Sequence, residues 1–198
     1  LEFRRVLFRS DADVQVENLY WQAGTISGDL QKRISVTGVM TVGAAATDNF
    51  LGTWVLSAPY KGSIASEVKL AGSVELDAPG EILMRESLNM EGDFTIIQGT
   101  INFSAVTIEC NNFALTAQGK QNITFNNTTI RKNTIQFKSN PDRRITNNGW
   151  KLETRQSDEP KAATVTAGIR HYCSATLGEI TISVTNATRQ WVRYSLEW

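Results

Sequence analysis

Histidine and cysteine are nearly absent from this chain, whose 198 residues include one His and two Cys. A Ser-His-Asp triad would have to use the single imidazole, His171, and no serine lies in a Gly-x-Ser-x-Gly motif. The sequence also has no Walker-type glycine loop and no Cys-x-x-Cys pair. A His-based metal site is thereby excluded, and we predict a protein that is not an enzyme and that carries no metal and no cofactor.

Net charge and long apolar runs are absent as well. Twenty basic and twenty acidic side chains give a formal charge of zero, so no global field attracts nucleic acid or an anionic membrane. No stretch approaches the roughly 20 consecutive apolar residues that a membrane-spanning helix needs. We therefore predict no nucleic-acid partner and no membrane insertion within this segment.

The two cysteines, Cys110 and Cys173, are too few to enclose a metal ion by themselves. In an oxidising compartment they could form one disulfide that links the repetitive part of the chain to its C-terminal segment. Two buried free thiols are the alternative. The sequence leaves both open, because disulfide geometry cannot be read from residue positions.

Short runs of alternating apolar and polar residues recur along the chain, and many follow a glycine. Glycine readily adopts the positive φ angle of tight turns, and period-two alternation places one set of side chains in a core. The pattern predicts an all-β fold built from turn-and-strand units. Clear alternating runs include Val14–Val16, Ile34–Val36, Val74–Leu76, Phe94–Ile96 and Ile101–Phe103.

The spacing of the glycines varies along the chain. Gly24, Gly38 and Gly52 are fourteen residues apart, whereas Gly52, Gly62 and Gly72 are ten apart. Degenerate short repeats are typical of a β-solenoid, in which each turn buries its inner face against the next. We predict a right-handed parallel β-helix of this kind. An antiparallel β-sandwich, whose strands recur at similar spacing, is the alternative.

The character of the sequence changes after Lys138, where Ser139–Asp142 indicates a turn. We predict a β-solenoid body over residues 11–138 and a C-terminal β segment or cap over residues 139–198. A cap is expected because the end of a solenoid exposes an unpaired turn. Strands are predicted in this segment at residues 163–169, 179–184 and 191–198.

The first ten residues, Leu1–Ser10, differ from the rest of the chain in carrying three arginines in a short stretch. They lack the apolar centre of a secretory signal peptide. We interpret them as a non-native leader translated from adaptor or cloning sequence, and we expect the chain to be a fragment of a longer protein. A native basic edge strand or arm is the alternative.

Two stretches carry a resemblance to a known group of proteins. Trp21–Gly28, followed by Ile34–Val42, resembles the W-x-G-G-T-I-S-G … L-x-I-x-G-x-L-x-L units of large secreted β-helical surface proteins of the adhesin type. Leu88–Phe103 is similar to the same units. Ala23 departs from the pattern, which has a second glycine there.

The resemblance implies a β-helical protein that is secreted or exposed at the cell surface and is usually non-catalytic. It also implies a glycan, a matrix component or another cell-surface molecule as the partner. We therefore expect a structural or adhesive segment of an extracellular β-repeat protein.

Aromatic and basic residues near the C-terminus could form a platform for sugar rings. Aromatic rings stack on the apolar faces of sugars, although most aromatic side chains serve as core. The residues predicted to bind a glycan are Trp150, Trp191, Tyr194, Arg143 and Arg144.

A polysaccharide-degrading β-helix is the alternative function. Such enzymes place carboxylates, lysines and arginines along one face of the coil, and a pair of carboxylates can hydrolyse a glycosidic bond. Convergence of Asp93, Lys120 and Arg143 in one groove would favour it. Outward charges are also what solubility alone requires, so the non-catalytic interpretation is preferred. The charged residues available are Asp77, Glu81, Asp93, Lys120, Arg131, Asp142, Arg143 and Arg144.

Overall fold

The computed structural model describes residues 2–3, 6–10, 12–154, 163–167, 180–184 and 192–194, with side chains for residues 12–153. Within these residues every regular element is a β-strand. The strands are β1 (Glu2–Phe3), β2 (Val6–Ser10), β3 (Val14–Val16), β4 (Leu19–Gly28), β5 (Arg33–Val36), β6 (Val39–Phe50), β7 (Thr53–Leu56), β8 (Lys61–Ser66), β9 (Ser73–Met84), β10 (Leu88–Asn89), β11 (Phe94–Ser104), β12 (Thr107–Leu115), β13 (Gln121–Asn126), β14 (Thr129–Phe137), β15 (Arg143–Asn148), β16 (Lys151–Thr154), β17 (Ala163–Ala167), β18 (Ile180–Val184) and β19 (Val192–Tyr194).

The chain winds as a β-solenoid of about six turns. Every pairing between two of the strands β1–β16 is parallel. Each turn runs through three straight segments, which stack on those of the next turn to form three faces. The first face contains β3, β5 and β7, the second contains β13 and β15, and the third contains β10 and β16. The predicted β-solenoid is confirmed. The antiparallel β-sandwich is wrong, because its sheets would require antiparallel neighbours.

The first face shows the repeat most clearly. Val14 opposes Ile34, which opposes Trp54 on the next turn. Between β12 and β14 the repeat is slightly longer, and there Phe113 opposes Ile135. The inward side chain at this position is apolar on every turn: Val14, Ile34, Trp54, Val74, Phe94, Phe113 and Ile135.

One hydrophobic core fills the interior along the coil axis. Aromatic rings of successive turns stack there, with Phe103 and Phe125 at 5.0 Å between centroids and Phe125 and Trp150 at 4.5 Å. Phe94 and Phe113 form a second stacked pair at 5.7 Å. Because alternating strand residues point inward, one apolar set from each turn builds this core and the other set faces solvent.

Glycines recur at the corner between the third and first faces. Gly52, Gly72 and Gly92 follow each other at one regular interval, a full repeat of the coil. A Cβ at Gly72 would lie 2.2 Å from the Gly52 carbonyl oxygen, so the two turns approach too closely for any side chain. The shorter spacings seen in the sequence connect glycines at different corners of the coil.

The corner after the second face has a left-handed backbone on three successive turns. The φ angle is +54° at Ala105, +47° at Asn127 and +94° at Gly149. Each of these residues follows a ladder of opposed strand residues, Ser104, Asn126 and Asn148. The same turn geometry is therefore repeated with three different residues, of which only glycine adopts it without strain.

Replacing Ala105 with glycine is expected to stabilise the protein by about 1 kcal/mol, because glycine adopts the left-handed conformation at this corner without the strain that costs an L-residue about 1–2 kcal/mol. The greater freedom of glycine in the unfolded chain offsets part of this gain. Ala65→Gly in the extended strand β8 is the matched control, and it should destabilise by about 0.5–1 kcal/mol. Urea unfolding of both variants checks the prediction. It would be contradicted if both substitutions raised, or both lowered, the free energy of unfolding.

The two ends of the chain add strands of different kinds. In the N-terminal stretch, β1 and β2 run parallel to β4. The parallel coil continues past residue 138 through β15 and β16. Antiparallel pairing then appears between β17 and β18 and between β16 and β19. The interpretations of a non-native leader and of a cap stay predictions.

Candidate functional site

A shallow groove, which we call the polar groove, runs along the coil axis on the outside of the third face. Two rows of mostly polar side chains border it, and two inward-facing residues form its floor. The first row consists of Lys69, Asn89, Glu109 and Arg131, the second row of Glu91, Asn111 and Asn133, and the floor of Met90 and Cys110.

The second row is held in place by hydrogen bonds along the axis. The Asn111 Nδ2 donates to Asp93 Oδ1 at 2.9 Å, and the Asn133 Nδ2 donates to Asn111 Oδ1 at 3.1 Å. Asn111 and Asn133 lie at equivalent positions of neighbouring turns, so their amides stack, and Asp93 orients the first of them. The Asn89 amide has no hydrogen-bond partner among the residues that the structure describes.

The charges around the groove are paired within the protein. The Lys69 Nζ lies 3.0 Å from Glu91 Oε1, and the Arg131 Nε lies 2.8 Å from Glu153 Oε2. The second pair is the less exposed, because the Glu153 side chain is only 9% accessible. Glu109 lies between Asn89 and Arg131 in the first row, on successive turns.

Beneath the groove a thiol and an amine face the interior. Cys110 opposes Lys132 in the parallel ladder, and Lys132 is only 2% exposed. Burial raises the pKa of the Cys110 thiol to about 12 and lowers the pKa of the Lys132 ammonium to about 8. Cys110 forms no disulfide with any of the residues that the structure describes. Its predicted disulfide partner, Cys173, lies outside the described residues, so that pairing stays a prediction.

Arg143, predicted to bind a glycan, instead belongs to a hydrogen-bond network inside a corner of the coil. Its Nε donates to Gln121 Oε1 at 2.6 Å, and its NH2 group donates to the Thr116 carbonyl at 2.6 Å. The Gln121 side chain is fully buried and donates to backbone carbonyls of the same corner. Desolvation lowers the pKa of Arg143 to about 10. Arg144, the next residue, is exposed.

The Arg143→Ala variant is expected to lose about 1–3 kcal/mol of unfolding free energy, since it leaves the buried Gln121 Oε1 without its donor. Arg144→Ala provides a matched control one residue away and should change the stability by less than about 0.5 kcal/mol. Thermal and urea unfolding of the two variants make the comparison. Equal stabilities would show that the corner network contributes nothing.

Trp150 is likewise placed in the interior. It is 7% exposed, and its ring stacks on Phe125 and contacts Phe137 at 5.8 Å between centroids. A ring held in this way presents no open face to a sugar, which is at odds with the predicted platform. Trp191 lies outside the described residues. For Tyr194 only the backbone is described, in β19, opposite Leu152.

The three residues that would mark a polysaccharide-degrading groove do not converge at one place. Asp93 precedes the first face and accepts a hydrogen bond from Asn111, whereas Lys120 and Arg143 lie at the start of the second face on successive turns. Lys120 is exposed, and Arg143 points into the corner network. Among the described residues no cluster of three His, Cys, Asp or Glu could hold a metal ion.

Sequence reasoning did not identify the polar groove. Its members come from turns one repeat apart, and they form rows only when the turns are aligned. The signal was present in Asn89, Glu109 and Arg131, which occupy the same position on successive turns. Recognising it requires the period of the inward residues, because the shorter glycine spacings join different corners of the coil.

No helix in the described part of the chain has the length and apolar character of a membrane span. No family model, no curated protein and no solved structure matches the chain.

Proposed function

We propose that this chain is a non-catalytic structural or adhesive segment of a secreted or cell-surface β-repeat protein. The observation that carries the proposal is the uninterrupted core, which links the turns through stacked rings such as Phe103, Phe125 and Trp150. A coil in which every turn is bonded to its neighbours along the axis is stiff, and stiffness is the property that a presenting or load-bearing role uses.

The outer surface supports the same proposal. Outward side chains of successive turns bond to each other, as in the Asn148 Nδ2 to Asn126 Oδ1 bond of 2.8 Å and the Asn102 Nδ2 to Glu81 Oε1 bond of 2.8 Å. Such cross-turn pairs stabilise parallel sheets and fix the positions of surface groups. A surface of fixed, evenly spaced polar groups suits the contact of one extended molecule with another.

Binding of a carbohydrate is the second candidate, and the polar groove favours it over a degrading activity. Its stacked amides and paired charges provide hydrogen-bond donors and acceptors without a cluster of convergent carboxylates. The segment would then bind the carbohydrate without cleaving a glycosidic bond.

The experiment pairs an adhesion assay with a degradation assay. Beads coated with the full chain are tested for retention on cells and on extracellular matrix, and the same protein is incubated with polysaccharides while reducing ends are measured. Retention that is lost after heat unfolding, without new reducing ends, would support the proposal. Release of reducing ends would overturn the non-catalytic role, and no retention on any surface would overturn the adhesive one.

A further inference from the structure

We propose that the polar groove binds an uncharged glycan chain that lies along the coil axis, with roughly one sugar unit against each turn. The proposal rests on the adhesive function proposed above and names the ligand and its site. The platform of aromatic and basic residues predicted near the C-terminus is not required for it.

The amide groups supply the first argument. Asn89, Asn111 and Asn133 are exposed, and each amide offers both a donor and an acceptor, the combination that pairs with vicinal sugar hydroxyls. The bonds from Asp93 through Asn111 to Asn133 orient two of them before any ligand arrives. Binding groups that are already ordered lose little entropy when a ligand binds.

The charges supply the second argument, since they select for a neutral ligand. Lys69 is paired with Glu91, and Arg131 is paired with Glu153, so neither cation is left to attract an anionic polymer. The side chains that line the groove carry two positive charges, Lys69 and Arg131, and two negative charges, Glu91 and Glu109, so the groove offers no net charge to attract a polyanion. An uncharged glycan can accept hydrogen bonds from the Lys69 and Arg131 side chains and donate to the Glu91 and Glu109 carboxylates while both ion pairs stay intact.

The shape of the groove supplies the third argument. Met90 and Cys110, which lie at the floor, are only 3% and 6% exposed, so the groove meets a ligand mainly through its two polar rows. Neighbouring turns of a parallel coil are about 4.8 Å apart, close to the length that one pyranose ring adds to an extended chain. The rows of the groove therefore repeat at the spacing of the ligand, on a rigid sheet.

The test uses the full chain on an array that contains neutral glucans, mannans and galactans beside anionic pectate and heparin, followed by calorimetry with the best oligosaccharide. A double variant, Asn89→Ala with Asn133→Ala, should weaken binding of the neutral oligosaccharide at least tenfold. Asn122→Ala is the matched control, because Asn122 is an exposed strand asparagine on the second face, away from the groove. The control should bind as the wild type does.

Unfolding curves of the variants should coincide with that of the wild type, since the two substituted amides are exposed. A second probe, Asn111→Trp, fills the groove and should also abolish binding. Unchanged affinity in the double variant, preference for anionic polymers, or no neutral ligand on the array would overturn the inference. Bead retention on matrix in the absence of glycan binding would overturn this inference alone, whereas loss of both would overturn the adhesive role as well.

Discussion

Replacing Phe125 with alanine is expected to lower the free energy of unfolding by about 3–5 kcal/mol, the range for deleting a fully buried aromatic ring. The Phe125 ring is 0% exposed and stacks between Phe103 on one turn and Trp150 on another. Its loss leaves a cavity in the axial stack, and the hydrogen-bonded turns on either side cannot close it. Urea unfolding monitored by circular dichroism measures the change.

The control for this variant is Tyr60→Ala, which removes a ring of similar size that is 87% exposed. That change should alter the unfolding free energy by less than about 0.5 kcal/mol. If the two variants were equally stable, the stacked core would not be what holds the turns together, and the structural argument for a stiff segment would fail.

Replacing Lys132 with methionine is expected to stabilise the protein at neutral pH by about 3–4 kcal/mol, because burial lowers the pKa of the ammonium from 10.5 to about 8 and each tenfold change in proton affinity corresponds to about 1.4 kcal/mol. The ammonium is buried beside the neutral Cys110 thiol, and no carboxylate forms an ion pair with it among the described residues. Methionine has a similar length and carries no charge, so the cost of burying the charge disappears. Lys120→Met, at an exposed position, is the control and should have little effect.

The same variant has a characteristic pH dependence. Below about pH 8, Lys132 is protonated in the folded and the unfolded states, so the full cost of the buried charge is present. Between about pH 8 and the ordinary value of 10.5, the unfolded chain binds more protons than the folded protein, so the wild type gains stability as the pH rises. The advantage of Lys132→Met should therefore shrink across this window.

Cys110 titrates nearby and acts in the opposite direction. Burial raises the pKa of its thiol from 9.0 to about 12, so it lowers the stability of both proteins as the pH rises through that range. Because the thiol and the ammonium influence each other's pKa, the effect of Lys132→Met is measured as a difference in a Cys110→Ala background. Urea unfolding at pH 7, 8, 9 and 10 measures this difference, and a constant value across the series would contradict the prediction.

The positions of the strands could be predicted from sequence because alternation is a local property. The alternating run Val14–Val16 forms β3, and Ile34–Val36 falls within β5. Phe94–Ile96 and Ile101–Phe103 are separate runs in the sequence but form the single bent strand β11. The bend at Gly99, where φ is +127°, interrupts the alternation without ending the strand.

The assignment of surface and core at the end of the coil could not be predicted in the same way. Arg143 and Trp150 follow polar turns and contain groups that bind sugars elsewhere, yet both point inward. The direction of a side chain on the last turns depends on register with the turn below, as in the pairing of Gln121 with Arg143. That register joins residues a full repeat apart, so the neighbouring residues in the sequence do not specify it.

The turn geometry of the coil also fixes how far the segment can reach. About six turns at a rise of about 4.8 Å give an axial length of only about 30 Å, a distance that a single α-helix covers with about 20 residues. The chain uses about as many residues for each turn, so every added turn extends the axis by only about 4.8 Å. A coil of this kind is suited to presenting a broad, ordered surface to its surroundings. Projection far from an anchoring point would require many more turns.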